Sequence, residues 1–196
     1  NPEIFNHGNA ITKEQAISEA NNFIQPNNLF DESILKGIIT TDILKYNSTD
    51  QTFTTATSLS ETNVIRVNYF RNDLDDMKIL PAGFDKSYNY ALYTAANTPY
   101  PRMTEINYSF WPISFDDFAT YPLKSSVSAW QDLVDGYAHV AKMGNNTENN
   151  NIVIRKIYLS YYDSEEPQLY LQPIFVFEGD NNFVAFVSAI SPEWLE

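Results

Sequence analysis

Residues 161–190 read YYDSEEPQLYLQPIFVFEGDNNFVAFVSAI. The stretch alternates, turns at DSEE, alternates through QLYLQPIFVF, turns again at EGDNN and ends on NFVAFVSAI. A period of two is the mark of a β-strand. EGDNN is a tight hairpin turn, and IVIRKIYLSYYD upstream supplies a further long strand. In QLYLQPIFVF one face carries Leu169, Leu171, Pro173, Phe175 and Phe177. The other carries Gln168, Tyr170, Gln172, Ile174 and Val176. Both faces hold apolar side chains, so the sheet is expected to be covered twice. A helix covers one side; a second repeat or a partner covers the other.

The helix is expected in SSVSAWQDLVDGYAHVAKM, capped by Ser125 or Ser126, with Val127, Trp130, Leu133 and Val134 on one face. Gly136 interrupts or ends it, and YAHVAKM reads as a further turn or a short second helix. The first half of the chain opens in a similar way. ITKEQAISEANNFIQ has Thr12 as N-cap and Gln15 as its capping-box partner. The spacing predicts a helix over 13–25 with Ala16, Ile17, Ala20, Phe23 and Ile24 on one face. YNSTDQ then turns between two strands. NVIRVNYFR is a strand whose core-facing side is Ile65, Val67 and Tyr69. NDLDD turns the chain and MKILP returns as a strand. A short strand lies at 90–94 and another within MTEINYSFWPISF, where Pro112 marks an edge or an end.

Each half thus reads as one amphipathic helix, a long strand opening on Val-Ile-Arg, an acidic turn and another strand. VIRVNYFRND answers to VIRKIYLSYYD. The expected class is α+β, two helix-on-antiparallel-sheet repeats packed together. A tether at 1–11 precedes a first repeat at 12–118 and a second at 119–196.

Composition narrows the functional classes. The chain has 196 residues, 43% hydrophobic and 15% aromatic, which is ample for a core and argues against disorder. The net charge is −13, from 12 basic and 25 acidic side chains. Nucleic-acid binders need a basic footprint, and anionic membrane surfaces attract basic segments, so both are disfavoured. There is no cysteine, hence no disulfide, thiolate metal site or cysteine nucleophile. No run of about 18 apolar residues occurs. The opening NPEIFNHGNA resembles a tether left after a leader, a lipid anchor or a membrane helix has been removed.

These patterns resemble the PepSY-like group of bacterial extracytoplasmic domains. TKEQAISEANNFI is similar to that group's opening helix. The C-terminal half resembles the tandem PepSY-like domains of the YycH and YycI regulators through Ala129 and Trp130, then Tyr170, Leu171, Pro173, Phe175 and Phe177. The resemblance covers most of residues 12–190 with structural rather than catalytic motifs. It implies a non-enzymatic regulatory or protein-interaction domain on the outer side of a bacterial membrane, anchored by an N-terminal helix or a lipid. The implied partner is an envelope protein, such as a sensor-kinase ectodomain or an envelope enzyme. It carries over no catalytic residue, cofactor or metal.

Several residues invite sharper readings. His7 and His139 are the two histidines, far apart in sequence; a structural or surface role is favoured over a Ser-His-Asp triad. Asp73, Asp75 and Asp76, and likewise Asp163, Glu165 and Glu166, could offer calcium hard oxygens. Both clusters fall where hairpin turns are expected, and solvated turns are the favoured reading. Asp116 and Asp117 could serve as a glycosidase pair beside Phe110, Trp111 and Phe115, whose favoured role is in the core. As an alternative to the regulatory reading, a cell-wall peptide or glycan could bind in an aromatic groove around Tyr100, Trp111 and Tyr121. The candidate ligand or partner surface is Tyr100, Trp111, Tyr121, Tyr170 and Gln172.

Overall fold

Thr12 starts the first helix as the capping signal predicts. In the computed structural model, which describes residues 2–5, 11–94, 102–146 and 151–194, α1 spans Lys13–Ile24. The Thr12 hydroxyl accepts the Gln15 N–H at 3.2 Å, and the Gln15 side chain accepts the Thr12 N–H at 3.0 Å. Two of the N–H groups that a helix start leaves without partners are thereby satisfied. Ala16, Ala20 and Ile24 are buried at spacings of four, with Ile11 beside them. Phe23, expected on the same face, is exposed instead. A second, short helix, α2 (Glu32–Leu35), was not foreseen; Asp31 caps it. Hydrogen bonds from the side chain and backbone N–H of Ser33 hold the Asp31 carboxyl below the ordinary aspartate range.

Ten strands follow in chain order: β1 (Ile39–Asn47), β2 (Thr52–Thr55), β3 (Val64–Tyr69), β4 (Ile79–Pro81), β5 (Asn89–Thr94), β6 (Met103–Asn107), β7 (His139–Lys142), β8 (Ile154–Asp163), β9 (Gln172–Gly179) and β10 (Phe183–Ser188). α3 (Ser126–Val134) lies between β6 and β7. The chain divides into two compact units. The first is Asn1–Asn72 with Ser87–Phe110, and the second is Asp73–Lys86 with Trp111–Glu196.

The first unit holds a five-stranded sheet in the order β2-β1-β3-β5-β6, antiparallel throughout. Ile65, Val67 and Tyr69 face α1 as expected, joined by Ala91 and Tyr93 from β5 and by Phe30 and Ile34. Tyr69 donates its hydroxyl to Asn21 of α1 at 2.9 Å. Burial pushes the Tyr93 hydroxyl up to about 12, because the core disfavours the charged phenolate.

The second unit also holds a five-stranded sheet, in the order β4-β8-β9-β10-β7. Here the sequence reading needs correcting. NDLDD does turn tightly: Leu74 and Met77 exchange both backbone hydrogen bonds, and Asp75 and Asp76 take the positive φ of a type I′ turn. MKILP, however, does not return beside β3. It becomes β4, running parallel to β8 with Leu80 opposite Tyr162. Its proline is tolerated because the strand lies at a sheet edge.

From β4 the chain crosses one face of this sheet as a strap. The Phe84 ring lies 6.4 Å from that of Phe186 on β10, and Asp85 pairs with Lys142 on the opposite edge strand, β7. The His139 ring nitrogen Nε2 sits 2.9 Å from the Ala82 carbonyl. Leu80 and Phe84 close over Ile174, Val176, Val184 and Phe186. The far face of QLYLQPIFVF is therefore covered, at least in part, by a segment of the same unit that comes from early in the chain. YAHVAKM is strand rather than helix. Gly136, at φ +86°, ends α3 with the paired bonds Tyr137 N–H to the Asp132 carbonyl and Gly136 N–H to the Leu133 carbonyl.

Both units are a helix on a mostly antiparallel sheet, an α+β arrangement. Each contains a three-stranded meander, β3-β5-β6 or β8-β9-β10. Their strand orders otherwise differ. In the first unit β1, the strand after the helices, pairs with β3. In the second, β7 pairs with the last strand, β10.

Candidate protein-interaction surface

α3 is where the two units part most sharply. Its apolar residues Val127, Ala129, Trp130, Leu133 and Val134 span an arc of roughly 160° at 100° per residue. The sheet receives only one edge of that arc. Ala129 is fully buried and Leu133 packs against Phe175, Phe177 and Val187. Val127 remains 75% exposed, Trp130 41% and Val134 61%. The face expected to be core is thus mostly turned outward, and Ala129, absent from that expectation, is the buried contact. An arc wider than one contact line was the available signal in the sequence.

The direction of the stripe follows from one contact. α3 packs over β10, and the Trp130 ring reaches Phe177 on the next strand, β9, at 6.3 Å. Val127 and Val134, three and four residues away, lie on the same side. At 100° per residue they lie about 140–160° round the helix from the fully buried Ala129, so they point away from the sheet. On β8, Ile157 lies opposite Phe177 and Leu159 opposite Phe175, which puts both on the face that α3 covers. Ile157 is 43% exposed and Leu159 is half-buried. Phe177, between them, is fully buried, and Leu159 packs against the same cluster.

Charge is as unevenly divided as apolar exposure. Residues 73–86 and 111–196 carry 16 acidic and 6 basic side chains, so the second unit holds −10 of the net −13. Four of its bases are paired within the unit, Lys124 with Asp132 at 2.7 Å, Lys142 with Asp85, Arg155 with Asp180 and Lys156 with Glu178 at 3.8 Å. Arg155 grips Asp180 through two bonds, at 2.7 and 2.9 Å. This hydrogen bonding holds the Asp180 carboxyl below its ordinary range.

The first unit offers a different surface. On the sheet face away from α1, Arg66 donates to Asn68 Oδ1 at 2.9 Å and to the Ser87 carbonyl at 2.7 Å, and stacks 3.8 Å over the Tyr90 ring. Asn68 in turn donates to Asp42 at 2.9 Å. Its members are saturated with one another, so the network reads as a means of satisfying polar groups on a half-buried sheet face.

The residues singled out in the sequence fall as follows. Tyr100 and His7 lie outside the described residues. Trp111 is exposed, with its indole N–H donated to the Glu165 carbonyl at 3.1 Å. Tyr121 is half-buried, Tyr170 is exposed in the loop before β9, and Gln172 is exposed at the start of β9. Asp116 and Asp117 lie on an exposed bend flanked by Phe115 and Phe118, both strongly exposed rather than in a core. Phe110 does pack in the first unit's core, under the Arg71 guanidinium at 4.3 Å. Among the described residues no three His, Asp or Glu side chains gather as a metal-binding group, the acidic turns included. No helix among the described residues is long and apolar enough to cross a membrane.

Comparison with known proteins found no matching family model, no similar curated protein and no similar solved structure.

Proposed function

We propose that this chain is a non-enzymatic protein-interaction domain with a regulatory role on the outer side of a bacterial membrane, anchored in its full-length form by a helix or a lipid. Its two helix-on-sheet units are of the PepSY-like kind, and its partner is an envelope protein such as a sensor-kinase ectodomain or an envelope enzyme. The observation that carries the protein-contact reading is α3. Val127 and Val134 stand exposed on the outer side of α3 at 75% and 61%, with Trp130 41% exposed beside them. Burying a valine or comparable side chain is worth about 1.5–3 kcal/mol, so such a stripe is stability left for an interface to collect. The shared order of helix before sheet and the common meander support two related units. The different placement of the first strand after the helices sets them apart.

The test is a photo-crosslinking residue placed at Val134 in the full-length protein in its own cells, with Ser18 on the outer face of α1 as reference. An envelope-protein adduct at 134 and none at 18, with the adduct isolated from the membrane-facing fraction, is the expected result. Equal labelling at both positions, or an adduct with a cytoplasmic protein, overturns the reading.

A further inference from the structure

We infer that the loops at one end of the second sheet form a docking surface for an arginine-bearing segment of a partner protein. The inference goes beyond the reading above, because it concerns another part of the second unit and does not depend on α3. β8 ends at Asp163, β9 starts at Gln172 and β10 ends at Ser188. With β9 antiparallel to both neighbours, these three limits and the loop 164–171 share one end of the sheet. The loop 111–123 is tied to that end at both of its own limits. The Trp111 indole N–H reaches the Glu165 carbonyl at 3.1 Å, and Leu123 bridges Ile190 just past β10. Both loops turn large apolar side chains to water. Leu169 is 95% exposed, Phe118 83% and Phe115 71%, with Trp111 and Tyr170 exposed as well. Apolar side chains gathered on joined loops mark a contact surface, whereas scattered single ones do not.

Charge at the same loops says what docks there. Residues 111–125, 163–173 and 188–194 carry six acidic side chains, Asp116, Asp117, Asp163, Glu165, Glu166 and Glu193, and one basic one, Lys124. The Lys124 side chain is 9% exposed and paired with Asp132 at 2.7 Å, so it leaves the loops acidic. Among the described residues no ion pair holds Asp116, Asp117 or Glu166. At the opposite end of the sheet, by contrast, Arg155 grips Asp180. Asp116 and Asp117 stand between Phe115 and Phe118, and the Trp111 indole meets the chain at Glu165. Carboxylates interleaved with aromatic rings suit a guanidinium, which forks to a carboxylate and stacks on a ring, whereas a lysine ammonium has no planar face. The first unit uses such stacking internally, with Arg66 at 3.8 Å over Tyr90 and Arg71 at 4.3 Å over Phe110. An acidic segment, a second copy of this chain with its net charge of −13 and an anionic bilayer are repelled.

The probes are three synthetic peptides with leucine, glycine and serine in the same places and arginine, lysine or glutamate at the charged positions. Binding to the intact chain is measured by titration calorimetry at low and at high salt, and mapped by amide chemical shifts. The arginine peptide is expected to bind about 3-fold more tightly than the lysine peptide and about 10-fold or more above the glutamate peptide, and to weaken in high salt. Shifts should centre on 111–118 and 164–171. Phe115→Ser with Phe118→Ser, and separately Asp116→Asn with Asp117→Asn, should each weaken the arginine peptide about 10-fold, with amide shifts elsewhere unchanged to show that the variants are folded. Equal binding of the glutamate peptide overturns the cationic partner, and equal binding of the lysine peptide overturns the choice of arginine. Binding elsewhere, or none, overturns the docking surface. Self-association abolished by the Phe115 and Phe118 variant overturns it in favour of a second copy, and adsorption to zwitterionic vesicles through those two rings overturns it in favour of a bilayer. The Val134 adduct described above forms or fails independently of these peptides, so failure of one reading is told apart from failure of the other.

Discussion

α1 and α3 start alike and end with opposite relations to water. Each is capped by a hydroxyl, Thr12 or Ser125, and each buries alanine against a sheet. α1 turns Glu14, Ser18 and Asn22 outward and places Ala16, Ala20 and Ile24 inward, so its amphipathic pattern is spent on its own core. α3 buries Ala129 and shows Val127, Trp130 and Val134 to solvent. Amphipathicity therefore locates a helix without saying what its apolar face meets. The sheet decides that, through how much of its surface lies within reach.

The contrast can be broken in several ways. Ile24→Ala in α1 removes a fully buried side chain and should cost about 3 kcal/mol in chemical denaturation. If it costs under about 1 kcal/mol, α1 is not the closed helix described. Phe84→Ala in the second unit should cost about 2 kcal/mol, because the ring is half-buried over Phe186. A neutral result would mean that the strap does not close that face. Thr12→Ala should cost about 1 kcal/mol through loss of the capping box, measured as a lowered denaturation midpoint. Val127→Ser and Val134→Ser should each change stability by no more than about 0.5 kcal/mol. A loss like that of Ile24→Ala would show the stripe to be packed.

The smallest expected effect is electrostatic. Asp31 and Asp180 have carboxyls held below the ordinary aspartate value, by Ser33 and by Arg155 respectively. A depressed folded-state pKa contributes stability that is fully present above the unfolded value, near 3.8, and is lost as pH falls through the folded value. Melting temperature should therefore drop below about pH 4, and Asp180→Asn should flatten part of that drop. An unchanged profile in the variant would show that the exposed Arg155 pair contributes nothing, as many surface pairs do.

Much of the local structure was legible. The Thr12–Gln15 box, the strand 64–69 with its inward Ile65, Val67 and Tyr69, and the hairpin at 179–183 follow from side-chain chemistry within a few residues of each other. The partners of strands were not legible. Nothing within MKILP says that it will pair with residues 161–163, some eighty positions away, rather than with its neighbour β3. A three-residue apolar strand satisfies either edge. The stripe on α3 was misassigned for a related reason: periodicity reports that a face is apolar, and burial depends on what the rest of the chain brings to it.

The sequence by itself determined the α+β class, the first helix to within one residue, the inward face of β3 and the acidity of the chain. These rest on local hydrogen bonding, periodicity and summed charge, which need no knowledge of distant contacts. Tertiary structure alone decided that residues 73–86 join the second unit, that Phe84 closes its far face, and that Val127 and Val134 are left in water. Those outcomes depend on which surfaces compete for the same apolar side chains, and that competition is settled only when the whole chain is packed.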